Sequence, residues 1–334
     1  MSQSTYSAAH LHELTVRILK AHNTNDINAI AVADALVAAQ IDGHPGHGLS
    51  RLVAYSAQAA GGKVDGRAIP GVEELSAAAV RIDAANGFAF PAMNVAIDDL
   101  SQRALDTGIA TAAVFRSHHF GAAGYHAEKL AAKGLIALVF GNSPKAIAPW
   151  GGSKGVFGTN PIAFAAPRTN GAPLLIDLSL SKVARGKVMV AAKNGEPIPE
   201  GWALDKDGNA TTDAQAALDG TMVPMGDAKG AALVLMVEIL AAALSGANFG
   251  FEASSFFSAD GPAPGVGQCV IAINPGPLSG DAFGARLEVL LGAILDQDGT
   301  RLPGTRRLQA REAASQNGVA VPDALYAELE QLAG

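Results

Sequence analysis

The stretch Ala110–Phe140, ATAAVFRSHHFGAAGYHAEKLAAKGLIALVF, predicts the fold class of the chain. A β-type run, Ala110–Phe115, is followed by a glycine-containing loop, a helical segment at 124–133 that Gly134 ends, and a second β-type run, Leu135–Phe140. Strand-length apolar runs that alternate with helical segments are typical of α/β proteins. We therefore expect a sheet with helices packed against it.

The same alternation continues on both sides of this stretch. Further β-type runs and helical segments lie at Ala79–Ile82, 91–106, Ile162–Ala166, Leu174–Leu180, 229–245 (ended by Gly246) and Val270–Ile273. The pattern is helical near both chain ends, at 7–60, 281–295 and 322–333. We therefore predict an α/β or α+β fold in which the two ends form one helical domain, residues 1–70 plus 280–334, around an inserted sheet domain, residues 71–279.

Composition and charge exclude several classes of protein. Hydrophobic residues make up 49% of the 334-residue chain and charged residues 16%, which is typical of a globular protein and not of a disordered one. The 31 acidic and 24 basic residues give a net charge of −7, and no basic run of five or more occurs. We therefore do not expect a nucleic-acid binder, and we expect a small-molecule partner.

Three local features bear on location and redox chemistry. The segment Met1–Thr5 is polar and has no apolar signal core, so we expect a cytoplasmic location. The apolar run Ala231–Leu244 is shorter than the roughly 20 residues of a membrane span, so we expect a buried core helix. The single cysteine, Cys269, lies in a strand-like run and is interpreted as a buried structural thiol.

Two common nucleotide-binding motifs do not occur in the sequence. No window has the G-x-G-x-x-G spacing, and the nearest candidates, Gly43–Gly48 and Gly265–Gly267, break it. Gly152–Gly155 lacks the leading glycine spacing and the final Ser or Thr of a P-loop. A cofactor site of the ordinary Rossmann type is therefore not supported.

The histidines cluster in two glycine-containing loops. All eight lie at or before position 126, and five lie in or beside these loops: His44, His47, His118, His119 and His126. Histidine exchanges a proton near neutral pH, and loops often carry catalytic groups; the alternative is that each histidine only bridges a turn. Apart from Asp42 no carboxylate or cysteine pair lies near them, so we expect no metal site.

His47 is the preferred candidate for catalysis. It lies between Gly46 and Gly48, and Arg51 follows four residues later, on the same face if 47–60 is helical. An imidazole that moves a proton beside a guanidinium that holds a carboxylate suits chemistry at carbon 2 of a 2-oxo or 2-imino acid. The alternative for Arg51 is a solvated residue at a helix start.

Two further segments suit the binding of phosphate. The loop Ser117–Gly124 follows a predicted strand and opens a predicted helix, so its backbone N–H groups suit a phosphate. Lys229 lies at the start of the apolar helix, where a positive charge is unfavourable unless it faces an anion such as a diphosphate or a 2′-phosphate.

Taken together and in this order, the motifs resemble the malate/L-lactate dehydrogenase type-2 superfamily, which includes the Δ1-pyrroline-2-carboxylate/Δ1-piperideine-2-carboxylate reductases. The resemblance covers nearly the whole chain and rests on Asp42–Arg51, Ser117–Gly121, Phe157–Pro161, Ile176–Ser179, Lys229–Gly230 and Arg301–Arg307. It implies a mixed-sheet, non-Rossmann nicotinamide-binding domain inserted in a helical domain, a small carboxylate substrate, and usually a homodimer.

The resemblance also implies roles for individual residues. His47 matches the acid/base of the family and Arg51 its carboxylate anchor. The residues that match cofactor positions are His119, Phe120, Gly121, Ala122, Ala123, Thr159, Asp177, Leu178, Ser179, Ala228, Lys229, Gly304, Thr305, Arg306 and Arg307. NADPH is the expected cofactor and NADH the alternative, since Lys229 and the arginine pair suit either a 2′-phosphate or the diphosphate.

Departures from the family pattern bear on the substrate. Gly46 stands where relatives commonly have the serine of Ser-His-Gly, and Lys187 stands where the piperideine reductases have an aspartate. A serine–histidine–aspartate relay is therefore not available. The segments Ala184–Lys187 and Gly195–Trp202 resemble the malate/lactate branch, whereas Ala247–Phe257 is similar to the cyclic-imine reductases.

The last of these segments is the least generic, and it decides the leading hypothesis. We expect NAD(P)H-dependent reduction of a cyclic ketimine carboxylate, Δ1-pyrroline-2-carboxylate or Δ1-piperideine-2-carboxylate, to L-proline or L-pipecolate. An iminium arrives already protonated and needs less acid assistance than a ketone, which fits Gly46. The alternatives are a malate/L-lactate-type 2-hydroxyacid dehydrogenase, a nicotinamide-binding protein without turnover and, last, a metal hydrolase.

Overall fold

The structure, a computed structural model, describes residues 2–334. The α-helices in this range are α1 (Ala8–Ala21), α2 (Asp26–Ile41), α3 (Leu52–Ala60), α4 (Ala89–Thr107), α5 (Ala123–Ala132), α6 (Arg185–Asn194), α7 (Ala214–Asp219), α8 (Asp227–Glu238), α9 (Pro275–Ser279), α10 (Phe283–Leu295), α11 (Thr305–Asn317) and α12 (Asp323–Ala333). The strands are β1 (Gln3–Tyr6), β2 (Gly71–Ser76), β3 (Ala79–Asp83), β4 (Ile109–Ser117), β5 (Ile136–Gly141), β6 (Ile162–Ala166), β7 (Leu174–Leu178), β8 (Ala203–Leu204), β9 (Ala210–Thr211), β10 (Thr221–Met222), β11 (Val266–Ile273) and β12 (Val319–Pro322).

The main sheet has seven strands in the order β2-β3-β4-β11-β5-β6-β7. β3 pairs with β4 in parallel, and the other neighbours pair antiparallel, so the sheet is mixed and the predicted fold class is confirmed. β4 and β5 both run antiparallel to β11, which lies between them. The loop 118–122 therefore lies at the carboxyl end of β4, where loops of α/β sheets commonly bind ligands.

Apolar residues form three clusters around this sheet. Alternate residues of the strands point to opposite faces, so Val114 and Val139 pack with α4 and α5, whereas Phe140 and Cys269 pack with α6 to α8. Cys269 is buried, as expected. The third cluster joins α1, α2 and α3 to β12 and α12, and β1 pairs with β12, so the two chain ends share a core. The division into domains 1–70 plus 280–334 and 71–279 stays a prediction.

Most of the elements that the sequence predicts are confirmed. β6 matches the predicted Ile162–Ala166 residue for residue, and α4 and α5 extend or shift the predicted helices by one or two positions. Gly134 and Gly246 follow the ends of helical segments with φ of +84° and +74°, a conformation that favours glycine.

Three longer elements were not predicted, and all three lack an apolar stripe. β2 is exposed along its whole length. α6 buries Val188 alone and α11 buries Arg307 alone. Hydrophobic periodicity reports burial against a core, so elements that bury so little leave no such signal.

The apolar run Ala231–Leu244 continues α8 through a π-helical turn, Ile239–Ala243. Val234 and Val237 are fully buried, but Leu235 and Ile239 on the opposite face are about half exposed. In a single chain this helix is buried on one side only, so the prediction of a buried core helix is wrong for its other side. Across residues 2–334 no helix has the length and apolarity that crossing a bilayer requires.

Candidate active site

His47 and Arg51 lie on two short 3-10 turns, Pro45–His47 and Leu49–Arg51. The condition that 47–60 forms one helix is not met, because Gly48 separates the turns with φ −94° and ψ −144° and α3 begins at Leu52. A Cβ at Gly48 would lie 2.6 Å from the side-chain oxygen of Gln40, so the glycine lets this loop press against the end of α2.

Arg51 is held in place with part of its guanidinium unpaired. Its Nε donates to the carbonyl of Gly46 at 2.7 Å, and its Cζ lies 4.5 Å from the centroid of the Phe257 ring. Its Nη1 is buried and has no hydrogen-bond partner. A buried, unpaired guanidinium N–H is costly, so this atom indicates a site for an anion such as a carboxylate.

The imidazole of His47 is neutral at pH 7. The surrounding protein and, next, the positive charge of Arg51 lower its pKa to about 4. The side chain is only half-buried, so solvent moderates the first effect, but the charge of Arg51 acts in the same direction. A neutral imidazole accepts a proton, and a carboxylate that binds Arg51 would raise the pKa of His47.

A chain of rings continues from His47 into the protein. The His119 ring is stacked 5.5 Å from that of His47, and its Nδ1 lies 2.5 Å from the hydroxyl of Tyr55. Tyr55 is fully buried, so its O–H needs an acceptor, and His119 Nδ1 is the acceptor that the geometry supplies. Burial lowers the pKa of His119, and its Nε2 then carries the proton of the neutral ring and is a donor.

Sequence reasoning missed Tyr55. The residue lies on the buried face of α3, where a tyrosine is ordinarily part of the core. Its position opposite His119 depends on the packing of α3 against the loop after β4, which no local pattern in the sequence records.

His126 follows the turn-bridging alternative, because its Nε2 donates to the carbonyl of Phe120 at 2.8 Å. His118 instead donates through Nε2 to the side-chain oxygen of Gln58 on α3, also at 2.8 Å. His44 is exposed beside the first loop. Within residues 2–334 no group of three or more His, Cys, Asp or Glu side chains is arranged to hold a metal ion.

The burial of His118 and His126 predicts that the fold loses stability in acid. Burial lowers the pKa of His118 and of His126 to about 3, whereas in the unfolded chain both return to about 6.5. Between these values the unfolded chain binds more protons, so stability falls as the pH falls from 6.5 towards 3. We expect a loss of about 1.4 kcal/mol per pH unit for each histidine in this window.

Urea unfolding at pH 7, 6, 5 and 4 measures this slope. His126→Phe keeps the aromatic packing and should lower the slope by about 1.4 kcal/mol per pH unit, with the exposed His10→Asn as the matched control. Equal slopes in the His126 variant and the wild type would contradict the assignment.

Hydrogen bonds connect several of the segments that are predicted to bind the cofactor. The Asp177 carboxylate at the end of β7 accepts the N–H of Gly124 at 2.8 Å, which joins β7 to the loop 118–122. The N–H of Leu180 donates to the carbonyl of Thr159, and the N–H of Met225 donates to the carbonyl of Leu180. These bonds bring Thr159, the segment 177–179 and the start of α8 together.

Phosphate binding was predicted at the starts of two helices, α5 and α8, and the structure differs between them. At α5 the N–H of Gly124 is already taken by the Asp177 carboxylate, which repels phosphate, so that prediction is wrong for this N–H. At α8, Lys229 is exposed in the first turn. The next residue, Gly230, has no room for a side chain, because a Cβ there would lie 1.7 Å from the carbonyl oxygen of Met225.

The two neighbouring arginines at the start of α11, Arg306 and Arg307, differ in their surroundings. Arg306 is exposed, whereas Arg307 is buried and donates through Nη1 to Glu128 at 2.6 Å. Arg311 joins the same Glu128 to Asp42, at the base of the His47 loop. The Nε and Nη2 of Arg307 are buried without partners and lie near the Gly304 turn, so they suit an anionic oxygen.

Comparisons with known proteins show what the chain is similar to. Residues 6–330 match the family model described as malate/L-lactate dehydrogenase. The chain is 50% identical over 320 residues to a (2R)-3-sulfolactate dehydrogenase (NADP(+)) of Chromohalobacter salexigens, with 96% of this chain and 95% of that one covered. It is 41% identical over 325 residues to a Δ1-pyrroline-2-carboxylate/Δ1-piperideine-2-carboxylate reductase of Pseudomonas putida, covering 97% and 95%. The solved structure of a Δ1-piperideine-2-carboxylate reductase from Pseudomonas syringae pv. tomato gives a TM-score of 0.94 at 40% identity, covering 98% and 99%.

Proposed function

Because the chain belongs to the malate/L-lactate dehydrogenase family and is thus an oxidoreductase, we propose that it moves hydride between NADP(H) and carbon 2 of a small carboxylate. The observation that carries this proposal is the buried, unpartnered N–H of Arg51, on the 3-10 turn that follows the turn of His47. His47 moves the proton and Arg51 holds the carboxylate.

We rank 2-hydroxy acids of the sulfolactate type first among the substrates. The relative named for (2R)-3-sulfolactate is 50% identical, against 41% for the imine reductase of Pseudomonas putida. Lys187 stands where the piperideine reductases are expected to have an aspartate, and this replacement argues against the imine. This order reverses the preference that we drew from the sequence alone.

The proposed oxidation needs a proton acceptor and an anchor for the carboxylate. The O–H bond of the substrate breaks, its proton passes to His47, and the C2–O bond becomes a carbonyl as hydride leaves C2. The nicotinamide, when bound, supplies the hydride acceptor. Arg51 binds the carboxylate with a charge-assisted hydrogen bond, which offsets its charge and helps His47 to keep the proton.

We propose NADP(H) as the cofactor. The sulfolactate relative is named for NADP(+). The unpaired Nε and Nη2 of Arg307 suit an anionic oxygen of such a cofactor, and the exposed Lys229 supplies a second positive charge. Thr159 and the segment 177–179 are joined through the N–H of Leu180, which donates to the carbonyl of Thr159.

A cyclic ketimine carboxylate is the second candidate, and one observation favours it. The Phe256 ring lies 5.0 Å from His119, and the Phe257 ring lies against Arg51. Such an aromatic wall suits an apolar ring that carries a single carboxylate, whereas a sulfonate brings a second negative charge. L-Proline or L-pipecolate would then be the product.

Initial rates of NADPH and NADH oxidation test both candidates. The substrates are 3-sulfopyruvate, pyruvate, oxaloacetate, Δ1-pyrroline-2-carboxylate and Δ1-piperideine-2-carboxylate. We expect the highest kcat/KM with NADPH and 3-sulfopyruvate. A higher kcat/KM with an imine would establish the second candidate. Tight NADPH binding without turnover of any of the five would overturn the proposal in favour of a binding protein.

A cytoplasmic location and a homodimer stay predictions. Exposed apolar residues on two helices, Leu235 and Met236 on α8 and Val289 and Leu290 on α10, support association of two chains.

A further inference from the structure

Two buried polar side chains fix the segment 255–260 against α3. Lys63 is 3% exposed, and its ammonium donates to the carbonyls of Ser255, Ser258 and Asp260 at 2.7, 2.9 and 2.9 Å. Gln58 is fully buried, and its Nε2 donates to the carbonyls of Phe256 and Ser258 at 2.9 and 3.0 Å. Both side chains therefore bind the backbone of one short segment.

The direct hydrogen-bond partners of the Lys63 ammonium are backbone carbonyls. A buried ammonium is costly unless its charge and its donors are compensated, commonly by a carboxylate. Here three carbonyl oxygens of one segment match the three N–H donors of the ammonium. The interaction thus specifies the backbone path of the segment, because the three oxygens converge on the ammonium only in this conformation.

The segment 255–260 presents two aromatic rings to the candidate active site. The Phe256 ring is buried, 5.3 Å from His118 and 5.0 Å from His119. The Phe257 ring is 51% exposed, and Arg51 Cζ lies 4.5 Å from its centroid. Phe257 therefore contacts the carboxylate anchor while about half of its surface remains exposed.

We propose that Phe257 is a specificity-determining residue of the carboxylate site, and that Lys63 and Gln58 are the positioning residues that hold it against Arg51. This inference rests on the proposed function. The ring packs against one side of the guanidinium, and the carbonyl of Gly46 accepts the N–H of Nε. The orientation of the unpaired Nη1 is therefore fixed before a ligand binds. The same ring occupies space beside the anchor, so the site accepts carboxylates with a short C2 substituent and excludes aryl-substituted ones.

Phe257→Ala tests the role of the ring. We expect KM for the preferred small carboxylate to rise about tenfold, the size of a partly desolvated cation–π contact, with kcat and the Kd for NADPH unchanged. Relative turnover of phenylpyruvate should increase, because the space beside Arg51 opens. Phe251→Ala, which removes a ring of similar exposure (52%) outside the segment 255–260, is the matched control.

Lys63→Met tests the positioning role. The variant keeps the aliphatic stem but loses three hydrogen bonds to the segment. We expect the same rise in KM and the same gain of phenylpyruvate turnover as in Phe257→Ala, at an unchanged Kd for NADPH, with exposed Lys206→Met as the control. If Lys63→Met does not fold, Phe257→Ala alone tests the inference, since a half-exposed side chain can be removed without opening the core.

Three results would overturn the inference. They are an unchanged KM and substrate ratio in Phe257→Ala, a native KM in folded Lys63→Met, and a parallel rise of KM and the Kd for NADPH in both variants. Oxalate binding to the enzyme–NADPH complex, followed by NADPH fluorescence, reports the carboxylate site without turnover. If the wild type turns over none of the substrates, the proposed function fails, while weaker oxalate binding in the variants still supports the role of Phe257.

Discussion

Replacing Arg51 with methionine is expected to lower kcat/KM for the preferred carboxylate by a factor of about 10² to 10⁴, the range for losing a charge-assisted anchor. The side chain contributes a buried, unpaired Nη1 and a charge that would attract the carboxylate. Methionine keeps much of the apolar stem but neither the charge nor a donor. The Kd for NADPH should not change, because the residues predicted to bind the cofactor do not include Arg51.

Steady-state kinetics with NADPH as the saturated cofactor measure this effect. Arg17→Met, which removes a surface arginine 3.9 Å from Glu330, is the matched control. Arg51→Lys should recover part of the lost kcat/KM, since it restores a positive charge without the planar fork. Wild-type kcat/KM in Arg51→Met would show that another group holds the carboxylate.

Replacing His47 with glutamine is expected to lower kcat by about 10² to 10⁴, the usual contribution of general acid–base catalysis. The effect on oxalate binding should be small, because Arg51 remains. Since the pKa of His47 is lowered to about 4, the proton-accepting form is present above that pH and is lost as the pH falls through it. Wild-type kcat/KM for oxidation should therefore be level from pH 8 to pH 6 and fall only near pH 4.

The pH profile separates catalysis from structure. His47→Gln should lose the acid limb near pH 4, whereas exposed His10→Asn should keep it. Stopped-flow measurements of short duration avoid the slower acid unfolding expected from His118 and His126. An acid limb near pH 6.5 in the wild type would contradict the account of His47, as would wild-type kcat in His47→Gln.

The sheet could be predicted where strands and helices bury apolar stripes. The run through β4, α5 and β5 is confirmed because each of these elements packs one face on the core. β11 was predicted as a strand, but its place between β4 and β5 was not, since pairing partners far apart in the sequence leave no local pattern.

The candidate site was predicted only in part, for a related physical reason. The closeness of His47 to Arg51 was anticipated, although from a helix that is absent there. Tyr55, Lys63 and Phe257 were not anticipated, because each acquires its role through a contact between segments distant in sequence. Lys63 and Ser258 are separated by 195 positions, and no spacing rule connects them.

The resemblance to the malate/L-lactate dehydrogenase family is confirmed by the match over residues 6–330. The roles of the individual residues stay predictions, because they depend on side chains meeting a substrate and a cofactor.

Transfer of deuterium from NADPH carrying the label at C4 tests the central claim most directly. The wild-type enzyme would be mixed with the labelled cofactor and the best substrate of the panel, and the product analysed by mass spectrometry and NMR. Our account predicts one deuterium at C2 of each product molecule, delivered from one face of the nicotinamide. The amount of this labelled product should fall in parallel with activity in His47→Gln and Arg51→Met. Product without deuterium at C2, or NADPH consumption without reduced product, would contradict it.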